Sequence, residues 1–311
     1  MRAPIAGARL PARHHLSQHR AVHRSAPLAW HALGPLAIAA CGAVLVALAA
    51  WFLWRRLRAR HLLRRRAPRL RHPLVLAHGL LGFDAIAVAG VRNEYFRGLP
   101  DKLARHACAV HRPRVAAAGS VAARAEELAA CIRALPDRRV NVVAHSMGGL
   151  DARYAIARLG IGSRVASLTT IGTPHLGTPL ADLGTGVGKR LGVMAALERL
   201  GIPVEAFYDL TTARMAEFNR AVPDARAVSY ASVVGVARRK RRTNPLLLPG
   251  HLYLLGHGGE NDGLVPAASQ RWGEVLCEID ADHWAQIGWS LHFDAAAFYD
   301  RLLTELRGRG F

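Results

Sequence analysis

The run VNVVAHSMGGLDARY, residues 140–154, constrains the chain more than any other segment. A mostly apolar stretch leads straight into His145 and Ser146, then two glycines, then a helical pattern that continues to Gly160. A strand that hands over to a helix within a few residues is half of a βα unit, and such units build parallel sheets covered by helices. Serine at the handover has two readings. It is a favoured helix N-cap, because its hydroxyl accepts a backbone N–H. It is also what a tight strand-to-helix turn presents as a nucleophile, with small residues two positions away on each side because the turn crowds its neighbours. Ala144 and Gly148 occupy those two positions.

The rest of the chain repeats the alternation from Pro73 onward. PLVLAHG (73–79) is a short apolar run ending in glycine, and VAARAEELAACIRALP (121–136) has helical periodicity up to Pro136. RVNVVAHS (139–146) reads as a strand and 147–160 as a helix. Segments 164–174, 225–235 and 274–280 are again strand-like, and a helix closes the chain. The fold class expected is therefore α/β, a mostly parallel sheet with helices on both faces. In open sheets of this kind ligands bind at the carboxyl ends of the strands, where every motif of interest here falls.

Charge divides the chain unevenly. Residues 1–72 hold fourteen arginines and no carboxylate, out of a formal net charge of +20 for 311 residues. Such a balance raises the question of nucleic acid, but the arginines flank a run of thirty residues, 25–54, that contains no Asp, Glu, Lys or Arg. Spanning a bilayer takes about 20 apolar residues, and Trp51 and Trp54 stand at the end of the run, where indole rings favour the interface. A cleaved signal peptide has a shorter apolar core, and a lipoprotein signal ending at Cys41 does not need the apolar residues that follow. The expected organisation is a basic tail (1–26), a transmembrane anchor (27–54), a basic juxtamembrane linker (55–72) and a catalytic domain (73–311). Nine arginines in 55–71 against four in 7–26 favour a single-pass inner-membrane protein with its catalytic domain on the cytoplasmic side. No nucleic-acid partner is expected. A second basic run, RRKRR (238–242), reads as a solvated loop or a face toward anionic lipid. Cys41, Cys108, Cys131 and Cys277 are widely spaced, without a metal-ligand or disulfide pattern.

A serine nucleophile needs a base. If the chain order is nucleophile, acid, base, the Gly-rich turn GENDGLVP (259–266) supplies Asp262, and two histidines follow it, His283 and His292. His283 comes directly after the strand 274–280, in a loop, whereas His292 falls in the expected C-terminal helix. Loop positions at strand ends suit reacting groups, which selects His283. Asp280 and Asp282 compete as the acid but have to fold back to meet the ring. Two backbone N–H groups are needed for a developing oxyanion; Met147, after the serine, and Leu80, in the loop AHGLLGFD (77–84), are the candidates.

With these residues in place, PLVLAHGLLGFD, VNVVAHSMGGLDARY, LTTIGTPHLGTPLAD, DLTTARMAEFN and ENDGLVP…DH together resemble the bacterial triacylglycerol lipases of the α/β-hydrolase superfamily, from about Pro73 to the C-terminus. The resemblance implies an α/β-hydrolase fold and a serine hydrolase of lipid esters, with Ser146, Asp262 and His283 as nucleophile, acid and base and Leu80 and Met147 as oxyanion donors. It also implies a mobile lid over about 178–208. Relatives of this type hold a structural calcium between two aspartates, one about twenty residues before the acid and one two positions after the base. Here no carboxylate lies between Asp224 and Glu260, and Ala285 takes the second position, so neither metal nor cofactor is expected. The alternatives are a short-chain esterase, phospholipase or acyltransferase on the same scaffold, or a non-catalytic, membrane-tethered binding module.

Overall fold

The computed structural model describes residues 69–80, 86–88, 91–106, 109–190, 204–239 and 242–311. The chain divides into two units, Met1–Leu63 and Arg64–Phe311, and the described residues all belong to the second. The basic tail, the apolar run over 27–54, most of the linker 55–72, residues 191–203 of the lid segment, Cys108 and residues 240–241 lie outside them. Among the described residues no helix is long and apolar enough to cross a membrane.

Six strands form one parallel sheet in the order β4-β1-β5-β6-β7-β8, where β1 is Leu74–Ala77, β4 Val110–His111, β5 Val140–His145, β6 Val165–Ile171, β7 Ser229–Gly235 and β8 Glu274–Ile279. A separate antiparallel hairpin joins β2, Ile86–Val88, to β3, Val91–Asn93. Alternate residues of a strand face opposite sides of a sheet, and the apolar runs sort accordingly. Leu74, Leu76, Val143, Ile171, Val233 and Ile279 pack with residues of the helices α1, Leu99–His106, and α9, Ala295–Gly308. Val75, Ala77, Val142, Ala144 and Leu168 pack on the other face with α2, Val121–Ala134, and α3, Gly148–Arg158. β1, β5 and β6 are buried at every position, as strands of a sheet covered on both faces must be.

The remaining helices are α4 (Pro179–Arg190), α5 (Glu205–Asp209), α6 (Thr212–Ala221), α7 (Leu248–His257) and α8 (Ala267–Gln270). Local chemistry sets the ends of α2: the Ser120 side chain accepts from the Ala123 amide, and Leu135 turns extended ahead of Pro136, as a residue before proline must. Two expectations are corrected. The strand expected over 225–235 starts at Ser229, because Val228 N–H turns back to Ala225 O at 3.1 Å. His292 is not helical: α9 begins at Ala295, where the Asp294 carboxylate caps the Ala297 amide at 3.0 Å. Cys131 and Cys277 are free.

Candidate active site

Ser146 stands at the carboxyl end of β5 with φ +56°, the one positive-φ residue other than glycine among the described residues. A side chain in that region costs on the order of 1 kcal/mol and persists where the surroundings impose it. Here they do. The Ser146 amide donates to Ile171 O at 2.9 Å, while its carbonyl accepts from Thr173 Oγ1 at 2.7 Å and from the Gly149 amide at 3.1 Å. The following helix α3 runs so close to the end of β1 that a Cβ at Gly148 would lie 2.7 Å from both Ala77 O and His78 O. This explains the glycine after Met147 and leaves the serine on the turn, with the positive end of a helix behind it.

Asp262 and His283 come together from the segments that follow β7 and β8. Their contact is a hydrogen bond of 2.7 Å from His283 Nδ1 to Asp262 Oδ2, and the His283 amide also donates to Asp262 O at 2.8 Å. Both side chains are buried. The Asp262 Oδ1 accepts from the amides of Leu264 and Val265 at 3.0 and 2.8 Å, so the Gly-rich turn solvates the carboxylate. The His283 ring lies 4.5 Å, centroid to centroid, from that of His145, the residue before Ser146. No hydrogen bond joins Ser146 Oγ to His283 among the described residues; such contacts are often loose before substrate binds. The competing acids are engaged elsewhere. Asp282 accepts from the amides of Asn244, Trp284 and Ala285, and Asp280 accepts from the Arg238 amide. His292 is exposed.

The amides of Leu80 and Met147 donate no hydrogen bond among the described residues. The loop that carries Leu80 is held by a residue that sequence reasoning did not single out. Arg124, fully buried on α2, donates from Nη2 to His78 O at 2.8 Å and Gly79 O at 3.3 Å, and from Nη1 to Ala116 O. Its charge is met by Asp151 of α3 at 2.8 Å. Burial pushes the Asp151 carboxyl up, against the pull of the Arg124 guanidinium. Three further residues surround the triad candidates: Tyr95, His145 and Gln286. Beside the serine, Val121, Met147, Leu150, Ala206 and Met215 form an apolar cluster with Leu80 packed against it. Among the described residues no three His, Cys, Asp or Glu side chains gather as a metal site.

The α/β hydrolase fold family matches residues 72–189. A triacylglycerol lipase of Saccharomyces cerevisiae is 32% identical over 305 residues, covering 78% of this chain and 93% of the relative. The chain belongs to the lipase-like α/β-hydrolases, enzymes of carboxylic ester hydrolysis. A Vibrio cholerae triacylglycerol lipase is 31% identical over 243 residues, covering 66% of this hydrolase and 76% of the relative. Among solved structures, a metagenomic carboxyl esterase superposes with a TM-score of 0.65 at 21% identity, covering 76% of each chain. The mature Bacillus licheniformis lipase does so with a TM-score of 0.56 at 24% identity, covering 76% of this chain and 96% of that one. Both share the fold of this hydrolase.

Proposed function

We propose that this hydrolase cleaves carboxylic esters of lipids through Ser146, His283 and Asp262. The observation that carries the reading is the imposed left-handed backbone of Ser146 beside a 2.7 Å contact between His283 and Asp262. His283 Nδ1–H is committed to Asp262, which leaves the Nε2 lone pair to take the Ser146 proton as Oγ attacks the acyl carbon. The amides of Leu80 and Met147 receive the charge that develops on the carbonyl oxygen. The imidazolium then protonates the departing alcohol, and water repeats the sequence on the acyl-serine. Asp262 holds the imidazole in the required tautomer throughout.

Lipid as the ester class is supported by the triacylglycerol lipases among the relatives and by the apolar cluster around Met147 and Leu80. We assign residues 178–208 as a lid; Leu183 and Phe207, on the helices that bound its undescribed middle, are exposed. The uncharged run 27–54 anchors the chain in a membrane as a single pass, the linker 55–72 lies on the cytoplasmic side, and 73–311 is the catalytic domain. Alkaline phosphatase and fluorescent-protein fusions at the C-terminus test the topology; a bright fluorescent fusion with an inactive phosphatase is expected, and the converse overturns it.

The decisive experiment is hydrolysis of p-nitrophenyl esters of graded acyl length by the full chain and by Ser146→Ala. A loss of about 10³-fold or more is expected, together with loss of fluorophosphonate labelling. Retained hydrolysis by Ser146→Ala removes the assignment, and a profile confined to short acyl groups moves the substrate from lipid to small esters.

A further inference from the structure

Gln286 is a fully buried side chain three residues beyond His283, and it is seated in a slot made for it. A Cβ at Gly172, at the end of β6, or at Gly235, at the end of β7, would collide with its amide group. From that slot Nε2 lies 3.0 Å from Asp262 Oδ2, the same oxygen that accepts from His283. Oε1 lies 3.2 Å from His145 Nε2, and His145 Nδ1 lies 2.7 Å from the Tyr95 hydroxyl. The Tyr95 hydroxyl in turn lies against Gly79, where an added Cβ would come within 2.7 Å of it.

Every proton in this chain has one consistent placement. A carboxylate only accepts, so Gln286 must turn its NH2 to Asp262 and its carbonyl to His145. A carbonyl also only accepts, so His145 carries hydrogen on Nε2. Its Nδ1 is then a lone pair, and Tyr95 must donate to it. The hydrogen bonds therefore all run one way, from Tyr95 through His145 and Gln286 to Asp262.

We propose that Gln286 is a positioning residue for ester hydrolysis: it ties the Asp262 carboxylate to His145, the neighbour of Ser146, and through Tyr95 to the loop that presents the Leu80 amide. The proposal rests on the assignment of Asp262, His283 and Ser146 made above. One amide side chain thereby hydrogen-bonds the acid to the nucleophile's strand and, through Tyr95, buttresses the loop that carries Leu80. A second consequence concerns charge. When His283 becomes an imidazolium, a charged His145 4.5 Å away would oppose it. Burial and the His283 ring hold the His145 pKa well below its ordinary value, and the bond to the Gln286 carbonyl fixes the neutral tautomer.

The test uses the full chain with Gln286→Met, Gln286→Glu and Tyr95→Phe, assayed on one p-nitrophenyl ester across pH. Methionine fills the slot without a donor. The expected result is a kcat lower by roughly 10- to 100-fold, the factor for a lost hydrogen bond to a charged group, with KM little changed. The acid limb of kcat/KM moves to higher pH, because an Asp262 carboxylate short of one donor holds the imidazolium proton longer. Gln286→Glu recovers part of kcat on the acid side, where a protonated carboxyl again donates to Asp262, and loses it as that proton leaves. A side chain that merely fills space moves neither limb. Tyr95→Phe leaves the slot untouched and lowers kcat by about 5-fold; it decides the matter if Gln286→Met does not fold. The proposal is overturned if Gln286→Met keeps kcat within about 2-fold and its acid limb in place, or, where that variant does not fold, if Tyr95→Phe is indistinguishable from wild type. Ser146→Ala, run alongside, separates the failures: an active Ser146→Ala removes the triad reading itself.

Discussion

Replacing Arg124 by methionine tests how the loop that carries Leu80 is held. Arg124 and Asp151 are 0% and 1% exposed, 2.8 Å apart, and Asp151 Oδ1 has no hydrogen-bond partner among the described residues. Arg124→Met therefore strands a carboxylate in the core and takes the guanidinium donor away from the His78, Gly79 and Ala116 carbonyls. Removing one partner of a buried pair costs about 3–5 kcal/mol. At about 2–4 °C per kcal/mol for a unit of this size, the melting temperature should fall by about 6–20 °C. The sign of the pH effect follows from Asp151. Its folded pKa is already raised by burial and rises further without the guanidinium, so the protonated fold is favoured at low pH and stability is lost as pH rises through that pKa. The deficit should be larger at pH 8 than at pH 5. Arg124→Met combined with Asp151→Leu removes the stranded charge and should melt above the single variant. Thermal melts of the three proteins at the two pH values provide the readout. A single variant within 2 °C of wild type, or a double variant no better than the single, refutes the reasoning.

Gly148→Ala brings a Cβ to 2.7 Å from two backbone carbonyls of the neighbouring strand end; overpacking of that kind costs about 1–3 kcal/mol, and a melt matching wild type would show that the turn has slack. His283→Ala should lose most activity while His292→Ala, an exposed position outside α9, keeps it; the reverse result on p-nitrophenyl esters exchanges the two histidines. The buried His145 and His175 both have pKa values well below the ordinary 6.5. In the unfolded chain they bind protons that the folded chain does not, so stability is full above pH 6.5 and falls below it by up to about 1.4 kcal/mol per pH unit for each. Melting temperatures that stay flat from pH 7 to pH 5 contradict this.

The end of the sheet that carries the candidate site was legible in the sequence because its determinants are local. The apolar run 140–144, the small residues around Ser146 and the Gly-rich turn at Asp262 each act within a few residues of themselves. The edge strand β4 is two residues long, too short for any period to register, and helix α1 was missed beside it. Arg124 left a trace that was available. It sits among Val121, Ala125, Leu128 and Ile132, on the face of α2 that is buried, and a charge on an apolar face signals a buried partner. Asp151 supplies that partner 27 positions further along, a pairing that no local pattern encodes.

Gln286 is the opposite case. Its role depends on Gly172 and Gly235 clearing space from two separate strands, and on Asp262 and His145 arriving from a third and a fourth segment. Within its own segment, DHWAQIGW, nothing marks it apart from a polar residue in a short turn. The same distinction accounts for the fate of Asp282, the acid weighed against Asp262. Sequence proximity made it a rival for the imidazole, yet the three amides of Asn244, Trp284 and Ala285 turn its carboxylate into a clasp for the loop. A carboxylate that binds its own backbone so closely cannot reach the ring of the next residue, whereas one 21 positions away meets it at 2.7 Å. The triad candidates therefore follow the topology of the sheet, which brings the segments that follow the parallel strands β7 and β8 to the same carboxyl end, and distance along the chain does not predict them.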